Sequence, residues 1–336
     1  DFPKNDLEKT RNSPPDNMCL SLLDNGKICE DGFVSFQISG FKKGNVVLAA
    51  YNDENKSQIL WTWHIWLTDK PADIRSGNYT KMDRFLGATY APVLVQDKND
   101  KSIGWGKYVT KAKQAALGFY YQWGRKDPII GPPGIDSKSD EKASNTAVSS
   151  SGWWKKEGTQ WKYYETIPVE NKASIPEVTK DPTAFYRSTT TKGANTSQWF
   201  PESFADGYTN VALWGYAVKN YSIAGQTFSK TMHDPCPPGY RTPFHFSWRY
   251  DGTHKYAEGD GGEARTSLDT EYEYGEYGIV TDDLPYFEKM WFPFCGYRDP
   301  LTGAYKNVGT EGNMNTGMPM GQYNTRTFWY NSRQTG

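Results

Sequence analysis

Histidine is scarce in this chain: His64, His233, His245 and His254 are its only 4 among 336 residues. That leaves little for acid–base chemistry, the work this side chain most often does. The sequence contains no H-E-x-x-H, no phosphate-binding P-loop, no dinucleotide-binding glycine pattern and no G-x-S-x-G. The usual signatures of metalloproteases, nucleotide enzymes and serine hydrolases are therefore missing. The 4 cysteines, Cys19, Cys29, Cys236 and Cys295, include no C-x-x-C pair, which argues against zinc and against thioredoxin chemistry. There is no Lys/Arg-rich run, and 38 basic residues balance 39 acidic ones to a net charge of -1. Nucleic acid is a poor partner for such a chain. Apolar stretches such as Val46–Ala50 and Ile65–Leu67 fall far short of the roughly 20 residues that span a bilayer.

Aromatic residues are what the chain has in quantity: 23 Tyr, 16 Phe and 13 Trp, or 15% of the sequence. Such side chains bury much area while keeping polar tips, which suits thick β layers and exposed stacking surfaces. With 32 Gly and 20 Pro the chain turns often. No fixed-period repeat is found, which disfavours a propeller or solenoid.

Residues 1–18 are polar and read as a linker or arm. Phe33–Ile38 alternates, Asn45–Tyr51 is apolar and compact, and Asp53–Ser57 is a hairpin turn. Gln58–Leu67 is the strongest strand. Trp61, Trp63, Ile65 and Leu67 fall on one face, and Leu60, Thr62, His64 and Trp66 on the other. Both faces are partly apolar, so both should be covered; His64 reads as a satisfied core or interface histidine. Residues 19–70 are expected to form a small β-sandwich. Beyond them, Lys107–Leu117 reads as a helix, Gly118–Gly124 as a strand or buried turn, Asp127–Ser151 as a long surface loop and Val211–Lys219 as a strand. Trp153–Glu165 reads as a hairpin, with Lys-Glu-Gly-Thr at its turn.

Binding residues are sought among exposed aromatics. Neighbours on a strand face opposite sides, so one of Trp153 and Trp154 is exposed unless both faces are covered. With Trp161, Tyr163 and nearby lysines they make a candidate stacking surface. Tyr272, Tyr274 and Tyr277 alternate with acidic residues and form a second candidate, suited to sugars or a basic partner. Asp260 and Glu263 lie in an acidic Gly-rich stretch that could supply oxygen ligands to calcium, with His254 nearby. A solvated acidic loop is the plainer reading, and no cofactor is required. The cysteines allow disulfides Cys19–Cys29 and Cys236–Cys295, each within one expected domain; four buried free thiols are the alternative.

Several short motifs occur in order. They are Ile59-Leu60-Trp61-Thr62-Trp63-His64-Ile65-Trp66-Leu67-Thr68-Asp69, Met82-Asp83-Arg84-Phe85-Leu86-Gly87-Ala88-Thr89 and Gly118-Phe119-Tyr120-Tyr121-Gln122-Trp123-Gly124-Arg125-Lys126-Asp127-Pro128. After them come Asp234-Pro235-Cys236-Pro237-Pro238-Gly239-Tyr240-Arg241-Thr242-Pro243 and Phe292-Pro293-Phe294-Cys295-Gly296-Tyr297-Arg298-Asp299, then Trp329-Tyr330-Asn331-Ser332. Together, over roughly residues 58–333, they resemble the Fibrobacter succinogenes major paralogous domain (FISUMP), related to C-terminal domains of fimbrillin-like surface proteins of Bacteroidetes. Phe85 stands where the family usually has Asn. The family's final strand is expected beyond Trp329–Ser332, so the domain is read as lacking it.

The resemblance implies a mainly β chain with an α+β C-terminal domain. A small N-terminal β-sandwich would be followed, over residues 71–336, by a loop-rich C-type-lectin-like (formylglycine-generating-enzyme-like) domain. It also implies export and a cell-surface, outer-membrane or fimbrial location, with adhesion rather than catalysis as the task. A glycan, a host or bacterial surface protein, or other fimbrial subunits would be the partners. The alternative is a structural stalk or assembly subunit without a diffusible ligand; a secreted carbohydrate-active enzyme is a third. Physically the motifs read as scaffold. Asp83 and Arg84 order a loop crossing, Asp234–Pro243 is a rigid turn, and Arg125, Arg241 and Arg298 are expected to pair with carboxylates or stack on aromatics.

Overall fold

A computed structural model of the chain describes residues 20–22, 33–40, 42–76, 79–91, 93–96, 108–111, 117–131, 152–165, 168–170, 174–187, 212–215, 229–243, 272–275, 278–281, 291–308, 311–320 and 324–331. The protein is mainly β. β1 (Leu20–Leu22) pairs with β2 (Phe36–Ile38), and β3 (Gly44–Tyr51) with β4 (Ile59–Leu67). Between β3 and β4, Asn52 Oδ1 accepts from the Gln58 amide at 2.9 Å and Asp53 Oδ1 from the Ser57 amide at 3.2 Å. Side-chain oxygens that bond nearby amides make this the turn expected at 53–57. β5 (Asp73–Ser76) pairs with β6 (Tyr79–Met82), β7 (Val93–Gln96) with β8 (Tyr108–Lys111), and β9 (Gly152–Glu157) with β10 (Gln160–Glu165).

β11 (Pro168–Glu170) runs parallel to β12 (Phe185–Arg187), with helix α1 (Ile175–Lys180) between them. At the start of α1 the Ser174 amide donates to Glu177 Oε2 at 2.5 Å, the reach-back of a Ser-x-x-Glu box. Val178 turns inward to pack with Ile175, Ala184 and Tyr186. β13 (Tyr272–Gly275), β14 (Gly278–Thr281) and β15 (Trp291–Pro293) join the earlier pair in a five-stranded sheet of order β15-β14-β13-β8-β7. The contact between β13 and β8 is parallel and the rest are antiparallel. β16 (Tyr297–Arg298) pairs with β17 (Tyr305–Lys306), and β18 (Glu311–Met320) with β19 (Asn324–Asn331).

Three local expectations are corrected. Where a helix was expected at Lys107–Leu117, Tyr108–Lys111 is a strand; Tyr108, Val109 and Thr110 favour a pleated surface, and pairing to β7 decides. Where a strand was expected at Val211–Lys219, Ala212–Trp214 is a single 3₁₀ turn, closed by Gly215 at φ +92°. The expected surface loop begins buried: Asp127 is 6% and Ile129 1% exposed. The remainder of that loop, residues 132–151, lies outside the described residues, as do the arm 1–18, Cys19 and Cys29.

Residues Leu117–Gly131 are the hub of the fold. Tyr120 and Ile129 exchange amide hydrogen bonds of 2.9 and 2.8 Å, closing the segment on itself. Arg125, 2% exposed, donates from Nη1 to Gln122 Oε1 at 2.7 Å and the Ala184 carbonyl at 2.8 Å, and from Nη2 to the Pro182 carbonyl at 2.9 Å. Its guanidinium lies 5.0 Å from the centre of the Tyr186 ring. Tyr305 OH reaches the Ile130 and Gly131 carbonyls at 2.8 and 3.0 Å. Arg298 stacks at 4.6 Å on Tyr305 and 5.4 Å on Phe185. The stacking expected of Arg125 and Arg298 is therefore present. Arg84 also behaves as expected: Nε and Nη2 grip Asp83 at 2.7 and 3.0 Å, and Nη1 reaches Thr68 Oγ1 at 2.9 Å.

Candidate functional site

The hairpin of β9 and β10 carries the first set of candidate binding residues, and its register sorts them. Trp153 lies opposite Tyr164, Trp154 opposite Tyr163, Lys155 opposite Lys162 and Lys156 opposite Trp161. Directly opposed residues share a face. One face therefore holds Trp153, Lys155, Glu157, Lys162 and Tyr164; the other holds Trp154, Lys156, Trp161 and Tyr163. The chain reverses at Gly158, which takes φ +60°, where a residue without Cβ is at ease.

Neither adjacent tryptophan is exposed. Trp153 packs on Phe119 at 5.5 Å between ring centres, and Trp154 on Tyr163 at 5.3 Å. Trp153, Trp154, Trp161 and Tyr163 are all half-buried. Tyr164 is exposed, at 41%. Its hydroxyl donates to Glu157 Oε1, while Glu157 Oε2 lies 2.6 Å from Lys162 Nζ and Oε1 lies 3.5 Å from Lys155 Nζ. The Lys162 ammonium and the Tyr164 hydroxyl hold the Glu157 carboxyl down at about 2. The same carboxylate raises both partners, Lys162 because it favours the charged ammonium and Tyr164 because the neutral hydroxyl donates to it. Aromatic surface and charge thus lie side by side in solvent.

What holds the hairpin to the body can be followed inward. Phe119 lies 5.5 Å from the His64 ring. Asn45 Nδ2 donates to the Gly87 carbonyl at 2.9 Å, so its Oδ1 is free to accept from His64 Nε2 at 2.8 Å. That leaves His64 Nδ1 to accept from Tyr121 OH at 3.3 Å, the tautomer this network requires. Burial drives the His64 imidazole down to about 4, so it is neutral. Gly87 and Gly118 permit the close approach beneath. The Phe119 amide donates to the Leu86 carbonyl at 2.9 Å, and a Cβ on Gly87 would lie 2.3 Å from Phe119 Cδ2.

Beside this chain lies a buried polar knot that sequence reading did not single out. Lys126 Nζ donates to Asp127 Oδ1 at 2.7 Å and to the Thr62 carbonyl at 3.0 Å. Thr62, 2% exposed, links the two through its hydroxyl. The Lys126 ammonium stands 4.4 Å over the Trp61 ring, and His233 packs 6.0 Å from the same ring. Asp234, whose side chain is fully buried, accepts from the Cys236 amide at 2.8 Å, the Thr242 amide at 3.0 Å and Lys230 Nζ at 2.8 Å. Asp299 repeats the device, accepting from the Leu301 and Thr302 amides at 2.9 and 2.8 Å and pairing with Lys306. The available signal was the dipeptide Asp-Pro, present at four places: at Asp127-Pro128, Asp234-Pro235 and Asp299-Pro300 a buried carboxylate collects donors and a lysine, while at Asp181-Pro182 the aspartate is exposed.

Lys126 is lowered by burial, with Asp127 opposing, and both charges are consumed by each other and by Thr62. Cys236 and Cys295 are free and buried, so the expected Cys236–Cys295 disulfide is not formed. Each sits in its own turn. The Cys236 amide is tied to Asp234, and Cys295 lies between β15 and β16, its Sγ 3.7 Å from the Gly296 carbonyl. Burial pushes both thiols up, Cys295 to about 11, and a protonated thiol is a poor nucleophile.

The other candidates are not brought to the hairpin. Tyr272 and Tyr274 fall on β13, in the five-stranded sheet, while Tyr277, Asp260, Glu263 and His254 lie outside the described residues. Among the described residues no group of three His, Cys, Asp or Glu side chains could hold a metal ion, and no helix is long and apolar enough to cross a membrane. No family model, curated protein or solved structure matches the chain.

Proposed function

We propose that this protein is a cell-surface or fimbria-associated adhesin whose β9–β10 hairpin binds a glycan or a surface protein. The ordered motifs from Ile59 to Ser332, similar to those of FISUMP domains, motivate an exported, C-type-lectin-like domain. One observation carries the ligand-binding reading: the hairpin joins five aromatic rings to exposed lysines on a support anchored by Trp153, with Tyr164 open to solvent. Rings beside charged donors suit stacking and hydrogen bonding to a polar ligand. The reading is of a binding protein rather than an enzyme. It is supported by the pairing and burial of Lys126, Asp127 and Asp234 and by the raised thiols.

The test is binding of the purified chain to an array of glycans and matrix proteins, with and without calcium. Trp154→Ala and Tyr164→Ala variants run alongside. Trp153→Ala is unsuitable as a probe of the surface, because Trp153 packs on Phe119. Saturable binding weakened at least tenfold by either variant is expected. Binding untouched by both moves the site off the hairpin. A folded chain that binds nothing but adds to fimbrial subunits would replace this reading with that of an assembly element, and turnover of a polysaccharide would replace it with an enzyme.

A further inference from the structure

We propose that the hairpin face bearing Lys155, Glu157, Lys162 and Tyr164 binds an anionic saccharide, a sugar chain carrying carboxylate or sulfate groups. The inference rests on the reading of the hairpin as the ligand surface and names the class of ligand it takes.

Lys155 and Lys162 are directly opposed across the two strands. Like charges in that relation destabilise a sheet, so folding alone gives no reason for the pair. A local rule broken without structural return is where function is expected. Glu157 offsets only part of the repulsion. Its single carboxylate touches both ammoniums, at 2.6 and 3.5 Å, and leaves one positive charge in excess. The lysine side chains are 47% and 56% exposed, so their remaining N–H donors face water. Tyr164 lies on the same face with Lys155 Nζ 5.4 Å from its ring centre. A second anion bridging the two lysines would complete what Glu157 half supplies, while the flat Tyr164 ring stacks on the sugar that carries it. The other face, with the half-buried Trp154, Trp161 and Tyr163, lacks such an opposed pair. A neutral sugar would use the ring and leave the lysine pair without a role.

The experiment measures binding of the full chain to immobilised polygalacturonate, to the same polymer fully methyl-esterified, and to heparin. Wild type should bind an acidic polymer at least tenfold more tightly than the esterified one; whether polygalacturonate or heparin is preferred separates carboxylate from sulfate. Raising salt from 50 to 500 mM should weaken binding, as ionic contacts require. Lys155→Gln/Lys162→Gln should lose tenfold or more on the acidic polymers with an unchanged circular-dichroism spectrum. Glu157→Gln should bind more tightly, because the internal competitor for the two lysines is gone; a merely structural Glu157 would give the opposite sign. Equal binding of acidic and esterified polymer overturns the anionic ligand and leaves the hairpin reading standing. Failure of every polymer, together with a blank array, overturns both, and capture of an acidic protein with no saccharide bound overturns the saccharide.

Discussion

Replacing Gly87 with alanine tests how the hairpin is supported. Gly87 sits at φ +84°, and a Cβ there would lie 2.3 and 2.8 Å from Phe119 Cδ2 and Cε2. Two costs follow. An alanine held in the left-handed region loses about 1–2 kcal/mol, and a methyl forced into a packed ring adds about 1–3 kcal/mol. Gly239 separates them, since it has φ +87° with nothing within 4 Å of its Cβ position. Gly239→Ala should therefore show the backbone cost alone, and Gly87→Ala should exceed it by about 1–3 kcal/mol in urea unfolding at pH 7.5. The excess belongs to Phe119, so Phe119→Leu should relieve it, with a coupling of about 1 kcal/mol or more in the double-mutant cycle. Tryptophan emission should shift in Gly87→Ala as well, because Trp153 rests on the ring that must move. Equal costs at the two glycines, or no coupling to Phe119, would refute the close packing and with it the anchoring of the hairpin.

Other outcomes follow from the buried polar groups. Burial depresses His64 to about 4 from about 6.5 in the unfolded chain. Between those values the unfolded state binds the proton and the folded state does not. Stability is therefore full above pH 6.5 and falls as pH drops toward 4, by up to about 3 kcal/mol. His233, lowered first by burial, acts in the same direction. The urea midpoint of wild type should fall between pH 7.5 and 4.5, and that of His64→Gln should fall less; parallel profiles would refute the assignment. Arg125→Lys keeps the charge but cannot serve Gln122, Pro182 and Ala184 together, and should cost about 3 kcal/mol in urea unfolding; a loss under about 1 kcal/mol would refute the role given to the fork. Iodoacetamide at pH 8 should leave Cys236 and Cys295 unmodified in the native protein, and a non-reducing peptide map should contain no link between them. Rapid labelling or a linked peptide would overturn their placement.

The hairpins were legible because their chemistry is local. Period-two alternation marks Ile59–Leu67, and the Asp53–Ser57 turn is written in residues that bond nearby backbone; the second turn, expected at Lys156–Thr159, falls one residue later, between Glu157 and Gln160. Tyr108–Lys111 was misread because its flank, Lys111 to Leu117, is rich in helix formers, while its partner Val93–Gln96 is distant in sequence. Strand preference depends on what the strand packs against, and that partner does not appear in a short window. The β13–β14 hairpin is hidden for a related reason: its alternating tyrosines and carboxylates dominate the pattern, and its closure rests on the single Gly275–Gly278 pair.

The candidate site divides along the same line. Aromatic residues at 153–164 were readable as a surface, but which ring is free depends on Phe119, and Phe119 in turn on Gly87 and His64, each from a different segment. Alternation required Trp153 and Trp154 to face opposite ways and stopped there. The body covers one with Phe119 and the hairpin covers the other with its own Tyr163, which leaves Tyr164, not a tryptophan, open to a ligand. The lysine pair was likewise hidden, because opposition of Lys155 and Lys162 follows from a two-residue turn at Gly158 and Thr159. Slip the pairing of one strand by one residue and the two lysines fall on different faces. Ligand class on this reading is set by which residues share the Lys155 face, so exchanging Trp161 and Lys162, which moves one lysine to the other face, should abolish discrimination between acidic and neutral saccharides while leaving all the charges in place.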